Sequence, residues 1–410
     1  MRFAIALIGL LLFSGLDGAA AQRLTIGVVT TLSGPRGAEG RDILDGFLLA
    51  VSEESGRLGG VPVEIVAEGD TGTADGAANV AGRMIKTERA TILTGAVTAD
   101  LAAAAAEAAT KAKRFYLAPA EAPAAFAGEK CHGDYFAIGW RVDAPFEMAG
   151  LDANRRRLAT AAILATAGEA GTEAAEAFAR GFKGRIVARI AVPDDAADFS
   201  AQLAGLKAAA PEAIVLALPD GLAQGFLKQL DAAGWGNDDP TLLHRVAPAL
   251  RELFSLPEPP ERNPLAAIYV SAMNSGLIAA AGAPARKLRA ASIFKPGEAS
   301  EAWRNFGARF EAKYGREPTQ YAGLGFDSAR LVASALRATG GKVLSDRDGF
   351  RAALLRAKFA SLRGGFRFAS NHYAAATWYV TRRPGEKPAD EPPALLGIGS
   401  DPHAGKCPLG

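Results

Sequence analysis

Two cysteines, Cys131 and Cys407, are all that this 410-residue chain contains, and they form no C-x-x-C pair. That scarcity excludes a disulfide-dense miniature scaffold and any cysteine-based metal or redox centre. Histidine is also sparse: His132, His244, His372 and His403 stand apart from one another, with no H-E-x-x-H. No G-x-S-x-G elbow occurs either, so the motifs of a zinc hydrolase or a serine hydrolase are missing. Net charge is nearly absent, with 46 basic against 44 acidic side chains. Such a balance sets up no field for nucleic acid or for an acidic lipid surface. The expectation is a protein without metal, cofactor or nucleic acid, and not an enzyme.

Beyond the first residues, no apolar run reaches the ~20 residues that a spanning helix requires. The opening segment MRFAIALIGLLLFSGLDGAAAQ places Arg2 before an apolar stretch from Phe3 to Phe13, then small residues ending Ala19-Ala20-Ala21. That layout reads as a secretory signal peptide over residues 1–21, with Gln22 as the mature start and a destination outside the cytoplasm. In an oxidising compartment two leftover thiols most simply pair, which makes Cys131 and Cys407 a candidate disulfide; the alternative is two unpaired thiols.

What the chain has in abundance is alternation. LTIGVV, an apolar run, leads through a glycine-rich turn into DILDGFLLAVSEES, where Ile43, Phe47, Ala50 and Val51 share one helical face. VPVEIVAEGD, TILTGAVT and RFYLAP read as further strands, separated by the helical patterns DGAANVAGRMIKTE and ADLAAAAAEAATKAK. After FAIGWRVDAP the alternation restarts and runs from LATAAILATAG to PTLLHRVAP. Strand and helix in turn, joined by short loops, predict parallel sheets covered on both faces, and the restart predicts two α/β lobes. LPEPPERNP, with four prolines in nine residues, can only be a loop. Trp140 and Trp235 read as core or hinge aromatics.

The first turn, TTLSGPRGAEGRD, carries Gly34, Gly37 and Gly40 in a G-x-x-G-x-x-G spacing and has no lysine. Neither the dinucleotide fingerprint nor the P-loop has that spacing. Nucleotide binding is the weaker reading of this turn, and ligands of open α/β sheets in general lie outside the carboxyl ends of the strands.

LSGPRGAEG, TGAVTAD, YLAPAEAP, DFSAQLAGLKAAAPEAIVLALPDG and FEAKYGREPTQYAGLGFDSARLVASAL follow one another in an order that resembles the leucine/isoleucine/valine-type periplasmic solute-binding proteins of ABC importers. The leader, the cysteine pair and FRFASNHYAAATWYV fit the same family, over nearly the whole mature chain. The resemblance implies the type I periplasmic binding protein fold: two doubly wound lobes with parallel central sheets, joined by a three-strand hinge. It implies crossings near Trp140 to Asp143, Tyr269 to Met273 and Gly365 to Arg367. Lobe 1 is then 22–140 plus 270–364, and lobe 2 is 141–269 plus 365–383. The tail at 384–410 is tied back to lobe 1 by Cys407.

The same resemblance implies a small-molecule ligand in the interlobe cleft, an amino acid, aromatic acid or other small carboxylate, and a membrane permease as partner of a monomer. A periplasmic sensor of the same fold and a secreted α/β enzyme are the other readings. Site residues follow from matching turns. Ser33 and Gly34 occupy the first, with Arg36 and Glu39 able to reach the cleft or to pair with each other. Ala96, Thr98 and Ala99 occupy the turn that holds the ligand's carboxylate in the family, and Thr98 is independently a candidate N-cap of the alanine-rich helix. Asp100 adds a negative charge beside it. Ala120, Glu121 and Ala122 occupy a third turn; a lone loop glutamate reads first as solvated, and otherwise as an acceptor for a ligand ammonium or hydroxyl. In lobe 2, Ala170, Asp220 and His244 lie at strand ends, and Asp220 is also an ordinary turn former in PDG. The tyrosines that cover an amino-acid side chain in the family are missing here.

Overall fold

The computed structural model describes residues 23–235, 265–273, 275–294, 300–381, 395–398 and 407. The expected leader, His244 and most of the tail lie outside the described residues.

The first lobe opens with β1 (Leu24–Thr30), α1 (Gly37–Glu53), β2 (Arg57–Leu58), β3 (Val61–Gly69) and α2 (Ala74–Lys86). It continues through β4 (Ile92–Gly95), α3 (Ala99–Lys111), β5 (Phe115–Ala118), β6 (Glu121–Ala122), β7 (Tyr135–Ala137) and β8 (Trp140–Arg141). Six of these strands form one sheet in the order β2-β3-β1-β4-β5-β7, and only β2 runs antiparallel to its neighbour. Ile26, Val28 and Val29 of β1 are fully buried, as a central parallel strand covered on both faces requires. One face is packed by Val80 and Met84 of α2 with Leu101 and Ala105 of α3. The other is packed by α1 and by three helices from far along the chain, α9 (Glu301–Tyr314), α10 (Gln320–Thr339) and α11 (Arg347–Leu355).

The second lobe comprises α4 (Ala144–Arg155), β9 (Thr160–Thr166), α5 (Glu169–Gly181), β10 (Arg185–Val192), α6 (Ser200–Ala209), β11 (Ala213–Ala217) and α7 (Asp220–Ala232). To these are added β12 (Ala267–Val270), α8 (Ser275–Ala281), β13 (Leu288–Ser292), β14 (Thr377–Thr381) and β15 (Leu395–Ile398). Its sheet runs β10-β9-β11-β12-β13-β14-β15, parallel as far as β13 and antiparallel over its last two strands. Phe146 and Phe178 cover one face, and Phe226, Leu230 and Leu277 the other. Two doubly wound lobes with parallel-rich sheets are therefore present.

Two of the expected crossings lie elsewhere. The chain does not return to the first lobe after Tyr269, because β13 pairs in parallel with β12, Tyr269 opposite Arg289, so residues 270–292 stay in the second lobe. Lys287 directly precedes this strand and Arg289 breaks its apolar run, yet both are buried, the Lys287 ammonium donating to the Leu265 carbonyl at 2.7 Å. A charged strand of this kind escapes a reading based on apolar periodicity. The last crossing is also later than Gly365 to Arg367. Phe366 and Phe368 pack on the first lobe's core, and the Ala374 N–H donates to the Ala137 carbonyl of β7 at 2.8 Å. The chain re-enters the second sheet at β14, through Ala291 opposite Val380.

Two glycines decide how the first lobe's helices meet. A Cβ on Gly46 of α1 would sit 1.9 Å from the Ala322 carbonyl oxygen, and one on Gly325 of α10 would sit 2.0 Å from that of Ile43. The helices therefore touch backbone to backbone, which only glycine permits. Gly46→Val should cost about 2 kcal/mol or more, at the upper end of overpacking effects. Urea unfolding would check this, and an unchanged midpoint would refute the close approach.

Cys131, ahead of β7, is bonded to Cys407, while β15 closes the far edge of the second sheet. The C-terminal segment is thus anchored on both lobes. Reduction should raise the intact mass by two protons and remove roughly 2–4 kcal/mol of stability, the usual contribution of such a cross-link. Mass spectrometry and thermal unfolding with and without reductant measure the two effects.

Candidate functional site

The carboxyl ends of β1, β4 and β5 lead into turns on one side of the first sheet. After β1 the chain passes through Ser33 and Gly34, both exposed, with Gly34 at φ 76° and its carbonyl accepting the Gly37 N–H at 3.1 Å. Arg36 follows as the residue before α1, and its guanidinium is the hub of the site. Nη2 donates to Glu121 Oε1 at 3.1 Å and to the Tyr321 hydroxyl at 3.0 Å, and Nε lies 3.3 Å from Glu39 Oε1. The guanidinium also stands 5.9 Å from the centroid of the Tyr321 ring, and Trp140 lies on that ring's far surroundings at 6.1 Å between centroids. Arg36 and Glu39 thus pair with each other and also meet the next two segments.

The turn after β4 is tight. Gly95 at φ 113° and Ala96 at φ 63° bring the chain against β1, where a Cβ on Gly95 would meet the Val29 carbonyl oxygen at 2.1 Å. The Ala96 N–H donates to that same oxygen, and an alanine held at positive φ marks stored local strain. Thr98 is the residue before α3, in extended conformation, but its hydroxyl makes no cap hydrogen bond. It donates to the Asp100 carboxylate instead. Thr98 and Ala99 are half-buried at the head of this helix.

The third turn differs from the expectation for a solvated loop. Ala120 and Ala122 are buried, and their carbonyls accept the N–H groups of Trp140 and Val142 in the β6–β8 pairing. Their methyl groups belong to the packing, and the side chain this turn presents is Glu121. Its carboxylate is only 17 % exposed and is held by Arg36. Burial pushes the Glu121 carboxyl above its usual range, Arg36 opposes the rise, and Asp220 and Asp100 add to it. Burial likewise raises the Tyr321 hydroxyl well above its ordinary value. For Arg36, burial works against the charge and is outweighed by Glu121, Tyr321 and Glu39, so its proton is held more firmly than usual.

From the second lobe, Asp220 opens α7 directly after β11 and is half-buried. Its charge adds to the upward push on the Glu121 and Tyr321 protons. Ala170 lies exposed in the first turn of α5, and no described contact joins it to this group. At the crossing between lobes, Arg141 is buried against Asp143 and Glu147, and Arg180 of α5 reaches Asp143 at 2.6 Å. Val97, Ala120, Trp140, Ile293, Tyr321 and Trp378 form an apolar cluster there that draws on both lobes.

Tyr321 was not singled out by the sequence reading. Its signal was available in PTQYAGLG: Thr319 caps α10 by accepting the Tyr321 N–H at 3.2 Å, which puts the ring in the helix's first turn. Among the described residues, no group of three or more His, Cys, Asp and Glu side chains is arranged to hold a metal ion.

The comparisons agree on the fold. The family model described as periplasmic binding protein matches residues 23–245 and 264–387. A solute-binding protein of an ABC transporter from R. palustris, solved with benzoate, superposes with a TM-score of 0.74 at 22% identity, over 92% of this chain and 96% of that one. The branched-chain amino acid binding protein LivJ from Streptococcus pneumoniae, solved with isoleucine, gives 0.71 at 22% identity over 88% and 96%. A second R. palustris protein, solved with 4-hydroxybenzoate, gives 0.73 at 18% identity over 93% and 99%. No curated protein matches. With a family model matching residues from both lobes over most of its length, the chain belongs to the periplasmic binding protein family.

Proposed function

We propose that this chain is the periplasmic solute receptor of an ABC importer, exported by the leader at 1–21, and that it takes an amino acid or related small carboxylate between its lobes. One observation supports the reading: at the strand ends of the first lobe Arg36 joins Glu121 and Tyr321, and Tyr321 packs with Trp140, Ile293 and Trp378 in a cluster that draws on both lobes. The work is binding and closure with no chemistry. A solute that touches both lobes is held only when they approach, so it selects the closed state. Shifting such a pair from mostly open to mostly closed takes about 5.5 kcal/mol of differential affinity. A few charge-assisted hydrogen bonds in a dry cleft supply energy of that order.

The head of α3 is the proposed seat of the ligand's carboxylate. Because Thr98 leaves the helix's first N–H groups uncapped, they remain available to an anion. Family members are solute receptors, so the permease is the expected partner of the closed form.

Thermal-shift screening of the purified chain against amino acids and small organic acids should find a stabilising solute, and small-angle scattering should show the chain becoming more compact with it. Thr98→Ala should weaken that solute about tenfold, the worth of one charge-assisted hydrogen bond, because the hydroxyl that turns to Asp100 would swing to the ligand's carboxylate. Unchanged affinity would remove Thr98 from the site.

A further inference from the structure

We infer that the Cys131–Cys407 bridge turns the end of the chain into a fourth hinge strand, which narrows the range of orientations the two lobes can take. Such a strand belongs to the scaffold and goes beyond the receptor reading, whatever solute the cleft receives.

The register of the second sheet places this strand at the hinge. β14 begins at Thr377, just after the stretch in which the Ala374 N–H donates to the Ala137 carbonyl of the first lobe. β15 runs antiparallel to β14, with Tyr379 opposite Leu395, Trp378 opposite Gly397 and Thr377 opposite Ile398. The chain therefore leaves the second sheet beside the point where it entered. The register slips between Trp378 and Tyr379, an irregularity of the kind that bends a strand. From Ile398 only eight residues lead to Cys407, and that cysteine is bonded to Cys131 on the first lobe. Fully extended, such a segment spans at most ~30 Å. It joins edge to edge, because β15 closes one border of the second sheet and β7, just after Cys131, closes one border of the first.

Both ends are held. On the first lobe, the Cys131 N–H donates to the Gly128 carbonyl at 3.0 Å, and the nearby Gly133 carbonyl accepts from Arg351 Nε of α11 at 2.8 Å. Asp134, fully buried, pairs with Arg347 and, at 2.7 Å, with Arg351. The loop that bears the bridge is thus fixed to the lobe's helices. On the second lobe, β15 lies against α4, the helix that opens directly after the crossing at Trp140 to Asp143.

Three passages of backbone already join the lobes, at Trp140 to Asp143, after Ser292 and before Thr377. Without the bridge, β15 would be a four-residue edge strand at the end of a free tail, and chain ends with few contacts fray readily. The covalent link removes that freedom. A tether of fixed length resists separation and twist of the lobes but goes slack when they approach, so it trims the open conformers and leaves closure unhindered. Lobes restrained in this way have less orientational freedom to lose when they close, the general gain of preorganisation.

The test places nitroxides at Asp75, in the first turn of α2, and at Asp195, after β10. Both positions are exposed and lie at the strand ends of their own lobes. The labels are attached through ketone-bearing residues, so that both cysteines keep their bridge. Double electron–electron resonance on the purified chain, without solute, should show a wider distance distribution in Cys131→Ser and in Cys407→Ser than in the parent. Inserting a Gly-Ser stretch between Ile398 and Cys407 keeps the bridge and slackens the strap, at little cost because loop-closure entropy grows slowly with length. That longer chain should show the same widening, so the result does not depend on a serine variant keeping its fold. If the lengthened chain, or a folded serine variant, gives the parent's distribution, the fourth strand does not restrain the lobes and the inference is overturned. The receptor reading is untouched by either outcome, since no solute enters the measurement.

Discussion

The guanidinium of Arg36 holds together three segments that the chain places far apart, since Glu121 is 85 residues away from it and Tyr321 is 285. Each segment arrives on a different element: the head of α1, the turn after β5 and the head of α10. The hub works only because α1 and α10 lie in direct backbone contact through Gly46 and Gly325, which fixes the distance between their first turns. Packing in the lobe's core thus sets the geometry of this charged group, and a carboxylate that would be solvated on an isolated loop becomes buried and oriented.

The same economy governs the junction between lobes. Trp140 and Tyr321 pack with Ile293 and Trp378 in a cluster fed by all the crossing segments, and the buried charges of Arg141, Asp143 and Glu147 lie directly beyond it. Charges at such a place are costly to bury unless paired. Here they are paired within one stretch of chain and with Arg180 of α5, so the first crossing is tied to the second lobe while its aromatic side faces the first. The C-terminal segment adds a covalent anchor on the first lobe and a strand on the second.

Much of this fold was legible because parallel strands covered on both faces must be apolar throughout. LTIGVV, TILTG, RFYLA and EAIVLALP stand out for that reason, and each became a strand. The strand at Leu288–Ser292 did not stand out, because Lys287 sits at its head and Arg289 interrupts it; the burial of Lys287 depends on neighbours such as Leu265 that only the fold supplies. The end of the first lobe was misplaced for a related reason. Phe366, Phe368 and Tyr373 are apolar enough for either lobe, and their contact with β7 and its surroundings is a non-local choice.

For the site, the sequence by itself determined which turns follow the strand ends, that Thr98 heads α3, and that two cysteines were available to pair. Those are consequences of local pattern, of helix-terminus chemistry and of composition. Only the tertiary structure decided that the Thr98 hydroxyl turns to Asp100, that Ala120 and Ala122 face the packing, and that Glu121 meets Arg36 and Tyr321. Side-chain direction and charge pairing across hundreds of residues depend on how helices approach one another, and that distance is set by contacts which no single stretch of sequence contains.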